Sequence, residues 1–223
     1  VHDFKLLAKS VTPLPADKDV TQEDGTVTRY AALESPELRA RQRYADLAVN
    51  PDVRENFRKR ATLIKALRTF LDDHDFLEVE TPILQPLYGG AAARPFTTHH
   101  NELEQDMYLR ISFELYLKRL LVGNLERVYE IGRDFRNEGV SFKHNPEFTQ
   151  LEFYWAYADY LQVMELTEQM VAYAAEQVTG STKVKFGEHE LEFKPPWNRV
   201  EMRTGILETS GIDIAEHKTA EDL

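Results

Sequence analysis

Arg133-Asp134-Phe135-Arg136-Asn137-Glu138-Gly139 and, after a polar loop, His144-Asn145-Pro146-Glu147-Phe148-Thr149-Gln150-Leu151-Glu152-Phe153-Tyr154 are the stretch on which the fold turns. Residues 128–131 and 148–157 carry the β-branched, aromatic and alternating pattern of strands, and Gly139, His144, Asn145 and Pro146 lie between them. The segment therefore reads as an antiparallel hairpin with a long loop. Its charge density could belong to a solvated surface, where exposed ion pairs contribute little. Alternation argues otherwise. Phe148, Gln150, Glu152 and Tyr154 are spaced by two, so they share one face of their strand. A face that gathers a ring, an amide, a carboxylate and a phenol suits a pocket floor that stacks a ring and holds a cation. On the opposing strand Arg136 offers a planar fork suited to carboxylate or phosphate oxygens.

Working outward, Asp159 with Gln162 makes a capping box for a helix ending by Gly180. Val184, Phe186, Leu191 and Phe193 flank Gly187 as a second hairpin. Upstream, Ser112 can cap a helix carrying Glu114, Leu117, Lys118 and Leu121 that ends near Gly123. The run Gly89-Gly90-Ala91-Ala92-Ala93-Arg94-Pro95-Phe96 allows a close backbone approach to a ligand or another chain segment. Leu77-Glu78-Val79-Glu80 alternates as a strand that Pro82 ends or places at an edge. Before it, Asn50-Pro51-Asp52 opens a long helix with Phe57, Ile64, Leu67, Phe70 and Leu71 along one stripe and basic residues around the rest. Residues 1–35 read as a short strand, Phe4-Lys5-Leu6-Leu7-Ala8, followed by a Pro-containing acidic linker.

Composition bounds the function. With 223 residues, 42% hydrophobic and 11% aromatic, the chain can bury a core and is globular in type. A formal net charge of -11 repels phosphate in bulk, so any nucleic-acid contact needs a local basic face. The absence of cysteine excludes disulfides, thiolate zinc sites and cysteine nucleophiles, and fits a reducing cytoplasm. No apolar run spans a bilayer and Val1-His2-Asp3-Phe4 is not a signal peptide, so the expected location is cytoplasmic. Val1 and the polar, helix-competent Ala220-Glu221-Asp222-Leu223 both read as cut ends.

Two of these segments carry a family resemblance. Phe135-Arg136-Asn137-Glu138-Gly139 with His144-Asn145-Pro146-Glu147-Phe148-Thr149 resembles motif 2 of class II aminoacyl-tRNA synthetases in its lysine form, and Phe76-Leu77-Glu78-Val79-Glu80-Thr81-Pro82 resembles their motif 1. Residues 89–96, Glu114-Leu115-Tyr116-Leu117-Lys118 and Ala156-Tyr157-Ala158-Asp159-Tyr160 are similar to the lysine enzymes rather than to their aspartate or asparagine relatives. The resemblance covers nearly the whole chain. It implies an α+β fold, part of an antiparallel sheet flanked by helices, with residues 1–35 the end of an anticodon-binding OB-fold barrel plus linker and 36–223 the first part of the catalytic domain.

The activity implied is ATP-dependent formation of lysyl adenylate and transfer of the lysyl group to its tRNA, by a homodimer joined through the motif 1 helix and strand. By the family pattern Arg136 bridges the attacking carboxylate and the α-phosphate; Asn137 and Glu138 hold adenine and nearby groups; His144 and Asn145 meet the outer phosphates and adenosine; Phe148 stacks under adenine. Gly90 and Glu114 receive the α-amino group of lysine, and Glu152 with Tyr154 its side-chain ammonium. Phe113 departs from the proline usual before that glutamate, which bears on the backbone placement of Glu114. No motif 3 arginine is found and no metal ligand is assigned, so magnesium ligands are expected beyond Leu223 and the 223 residues alone are expected to be weak or inactive. Two other readings stay open: a paralogue that lysylates elongation factor P, and a non-catalytic dimerisation or assembly module on the same fold.

Overall fold

The computed structural model describes residues 3–11, 14–15, 18–30, 33–217 and 219. The chain divides into two compact units, Val1–Ile64 and Lys65–Leu223.

In the first unit, β1 (Lys18–Thr21) and β2 (Val27–Tyr30) form an antiparallel hairpin where the sequence suggested an acidic linker. The acidic residues belong to the turn. Asp24 accepts from the backbone N–H and hydroxyl of Thr26, and Gly25 takes φ +84, so Asp-Gly closes the hairpin. The strand expected at residues 4–8 is not formed: residues 3–11 have no regular secondary structure and Phe4, Leu6 and Leu7 are exposed, an apolar run with no ladder to join. The expected barrel end thus has no strand at 4–8 to support it. The short helices α1 (Pro36–Arg41) and α2 (Arg43–Val49) are tied by the buried carboxylate of Asp46, which takes Arg39 at 2.9 Å, the Asn50 amide at 2.7 Å and Arg43. The helix start predicted at Pro51 is observed: α3 runs Pro51–Asp72, with its first half exposed except for Val53 and Arg54.

The second unit is built on a three-stranded sheet. β3 (Leu77–Glu78) lies parallel to β7 (Arg127–Phe135), and β7 pairs antiparallel with β8 (Glu147–Trp155) over nine residue pairs, from Arg127↔Trp155 to Phe135↔Glu147. β4 (Leu84–Gln85), β6 (Gln105–Leu109) and β5 (Thr97–His100) make a second small sheet. The two meet at Arg110, whose N–H donates to Ile83 and whose carbonyl accepts from Phe135. The pleat sorts side chains as the sequence pattern requires. Tyr129, Ile131, Leu151, Phe153 and Trp155 face a core with Phe70 and Leu71 of α3 and with Leu166 and Met170 of α5 (Tyr160–Thr179). The other face carries α4 (Glu114–Val122), where Phe113, Leu117, Val128 and Tyr154 pack together.

The capping box on α5 is present, with Asp159 accepting from Leu161 and Gln162, and Gly180 ends the helix at φ +80. β9 (Lys183–Phe186) and β10 (His189–Glu192) form the predicted hairpin. A further helix, α6 (Met202–Ser210), starts at Glu201, whose carboxylate accepts from Arg203 and Thr204. It has no buried residue. Residues 220–223, read as helix-competent, lie outside the described residues.

Candidate functional site

Residues directly opposite in an antiparallel ladder share a face, so Val128, Glu130, Gly132 and Asp134 lie beside Tyr154, Glu152, Gln150 and Phe148 respectively. Glu152 is the hub of one end. Its Oε1 accepts from the Tyr154 hydroxyl at 2.8 Å, and its Oε2 accepts from the Gln150 amide at 3.0 Å and the Ser112 hydroxyl at 3.3 Å. Burial, with the adjacent Glu152 carboxylate, pushes the Tyr154 phenol well above its ordinary range, so it stays a proton donor to that carboxylate.

Ser112 links this hub to α4. Its oxygen also accepts the Glu114 N–H at 3.1 Å, which satisfies one amide at the helix start although the cap position itself is Phe113, with no side-chain cap bond. Phe113 is fully buried, packed with Leu117 and Val128 in the core beneath α4, where it anchors the residue before Glu114. The Glu114 carboxylate meets Lys118 at 2.5 Å. Gly90 lies against this corner at φ +87, where a Cβ would stand 2.7 Å from Glu114 Cβ and 2.9 Å from Ser112 Oγ. Only glycine fits both the conformation and the space. Gly90, Glu114, Glu152 and Tyr154 are therefore brought together, and Ser112 and Gln150 join them.

At the other end of the face a cavity of about 290 Å³ is lined by Arg136, Glu138, Gly139, Lys143, His144, Asn145, Pro146 and Phe148. The Arg136 guanidinium sits 5.1 Å from the Phe148 ring centroid, with one nitrogen 3.4 Å from the Ile111 carbonyl. Asn137 differs from the other nucleotide candidates: it is not among the lining residues, and its N–H donates to the Arg94 carbonyl at 2.8 Å. Glu138 accepts from the Arg94 N–H at 3.4 Å, so both residues stitch the 89–96 run to the hairpin.

Between the two ends lies a buried group the sequence reading passed over. Arg110 is 2% exposed; it donates to Glu130 at 2.6 Å, to the Thr81 carbonyl at 2.9 Å and to the Arg133 carbonyl at 2.9 Å, and lies 4.3 Å over the Phe113 ring. Gly132 makes room for it, since a Cβ there would come within 2.6 Å of the guanidinium. The signal was available: Tyr108-Leu109-Arg110-Ile111 and Val128-Tyr129-Glu130-Ile131 each set one charge in an apolar strand, the mark of a buried pair.

Asp134 completes the group. It is fully buried and neither carboxylate oxygen has a hydrogen-bond donor, although Arg110 Nε lies 3.3 Å away. Burial pushes its carboxyl up to about 6, with the charges of Glu152 and Glu130 acting the same way and those of Arg110 and Arg136 opposing. A carboxyl raised above its unfolded value favours the folded state only while protonated, so that stability is lost as pH climbs through about 6. The full span is worth roughly 3 kcal/mol. Asp134→Asn, which cannot ionise, is expected to melt several degrees above the wild-type chain at pH 8, the gap closing toward pH 4.5. Equal melting temperatures at pH 8 would contradict this origin of the shift.

Among the described residues no group of three or more His, Asp or Glu side chains converges to hold a metal ion, and no helix is long and apolar enough to cross a membrane.

The family described as class II tRNA synthetases (D, K and N) matches residues 35–223. Curated relatives named lysine--tRNA ligase include those of Clostridium tetani, 58% identical over the whole of this chain and 42% of the relative, and Clostridium novyi, 57% identical over the whole chain and 41% of the relative. That of Clostridium acetobutylicum is 53% identical with the same 41% share. The chain thus spans about 42% of the length of the relatives it matches.

Proposed function

Since the chain belongs to the class II tRNA synthetases (D, K and N), we propose that it supplies part of the active site of a ligase that activates lysine with ATP and transfers it to tRNA. The observation that carries this reading is the division of one sheet face into a carboxylate hub at Glu152 and a cavity at Arg136. The names of the relatives favour lysine over aspartate or asparagine.

In this reading the side-chain ammonium of lysine meets Glu152 and Tyr154, and its α-amino group meets Glu114 and the Gly90 backbone. The nucleotide lies across the cavity, with adenine on the Phe148 ring and His144 and Asn145 toward the phosphates. Asn137 and Glu138 act at the adenine side, Asn137 by holding the Arg94 backbone. The lysine carboxylate oxygen attacks the α-phosphorus, the bond to the bridging oxygen breaks, and pyrophosphate leaves with that electron pair. Arg136 balances the charge that builds on the α-phosphate oxygens, so the enzyme's work is positioning and electrostatics without a covalent enzyme intermediate. The terminal ribose hydroxyl of tRNA then attacks the adenylate carbonyl and AMP departs. Magnesium is implied by the resemblance, but the described residues offer it no cluster, and no step here passes through it.

Exposed Leu77, Ile83 and Leu84 support a homodimer contact through the motif 1 segment. The reaction belongs where tRNA is charged for translation, in the cytoplasm.

The test is lysine-dependent exchange of pyrophosphate into ATP by a ligase of the relatives' full length carrying this segment. Exchange is expected with lysine and not with aspartate or asparagine, and the 223 residues alone are expected to run far below that rate. Exchange driven equally by aspartate would sink the substrate assignment; full rates from the 223 residues would sink the claim that they form only part of the site.

A further inference from the structure

Two buried groups on this face lack hydrogen-bond partners: both oxygens of Asp134, whose ion pair with Arg110 makes no hydrogen bond, and Nε of Arg136. They stand two residues apart, Asp134 in β7 and Arg136 just past its end with its guanidinium over Phe148, the register partner of Asp134, one an acceptor and the other a donor. Buried polar groups without partners are rare enough to need a reason. The other carboxylates of the site already accept hydrogen bonds. Glu152 already takes Tyr154, Gln150 and Ser112; Glu130 takes Arg110 and Thr81; Glu138 takes the Arg94 N–H. Arg110, 3.3 Å from Asp134, directs its Nε–H to the Arg133 carbonyl and its Nη1 to Thr81 and Glu130.

The guanidinium of Arg136 meanwhile rests over Phe148, the register partner of Asp134 and the ring on which the nucleobase would stack. Ring and guanidinium cannot both keep that place once a base arrives. We propose that Asp134 is the positioning residue for Arg136: when nucleotide displaces the guanidinium from Phe148, the carboxylate accepts its Nε–H and leaves the terminal nitrogens facing the α-phosphate. This rests on the nucleotide reading of the cavity. An arginine held at Nε presents its remaining fork as a rigid plane, which is what bidentate recognition of phosphate oxygens needs.

The groups that set the charge of Asp134 are Arg110 after β6, Glu130 on β7, Arg136 just past the end of β7 and Glu152 on β8. Since the ionised carboxylate holds a guanidinium N–H far more strongly than the neutral acid, kcat/KM for ATP should fall on the acid side of about pH 6. In the full-length ligase, Asp134→Asn is expected to lower kcat of lysine-dependent exchange about tenfold, through misplacement of Arg136. KM for lysine should stay within about twofold of wild type by the same argument, and the acid limb should vanish. Wild-type kcat with the acid limb intact overturns the proposal. So does a fall in kcat with the limb unchanged, which would make Asp134 merely structural. A melting curve taken alongside separates lost positioning from lost folding. The nucleotide reading is tested separately by ATP titration of Phe148→Ala and Arg136→Ala. Unchanged ATP affinity in both sinks that reading and this proposal with it, whereas weakened affinity there beside an unaffected Asp134→Asn sinks this proposal alone.

Discussion

Glu152→Gln in the full-length ligase is expected to lower kcat/KM for lysine by about 10³-fold or more while leaving KM for ATP near wild type. The substitution keeps the volume and removes the charge. Three donors converge on this carboxylate, from Tyr154, Gln150 and Ser112. A glutamine would turn an NH₂ group toward them, leaving a donor facing donors in a half-buried corner, and the incoming ammonium would find no counter-charge. Steady-state exchange kinetics with lysine and with a shorter diamino acid measure the effect. A loss smaller than tenfold, or an equal loss for both amino acids, would take the ammonium-binding role away from Glu152.

Arg136→Ala should lower adenylate formation by roughly 10² to 10³, the range seen when one donor to a developing oxyanion is removed. Arg136→Lys should recover only part of this, because a point charge replaces a planar fork and lacks the Nε that Asp134 is proposed to hold. Single-turnover measurement of adenylate, with lysine affinity followed separately, checks the prediction. Unchanged rates in Arg136→Ala would remove this residue from the chemistry.

What was legible in the sequence was what short-range physics specifies. The β7–β8 hairpin, the Asp159–Gln162 box and the Gly187 turn announce themselves through alternation, capping spacing and glycine, and all three are present. Alternation also assigned Phe148, Gln150, Glu152 and Tyr154 to one face, and Glu152 is bonded to two of the others. Long-range partnership was less legible. Arg110 meets Glu130 across twenty positions of sequence, and only the meeting of the two sheets at Arg110 puts them together. Asn137 had the right motif but turned its backbone to Arg94 rather than lining the cavity. At the other extreme, residues 4–8 showed a strand's composition and formed none, since β-propensity acts only where a neighbouring strand can receive the backbone.

Gly90 limits how this corner could be re-engineered. With a left-handed backbone packed against Ser112 and Glu114, it leaves no side from which the amino-acid end can be reshaped by adding bulk. On the proposed lysine reading, room for a longer or branched substrate would have to come from Tyr154 or Gln150, and each of those donates to the Glu152 carboxylate. On that reading breadth of substrate and strength of selection would be set by the same few atoms, and a variant library that randomises position 90 should return glycine.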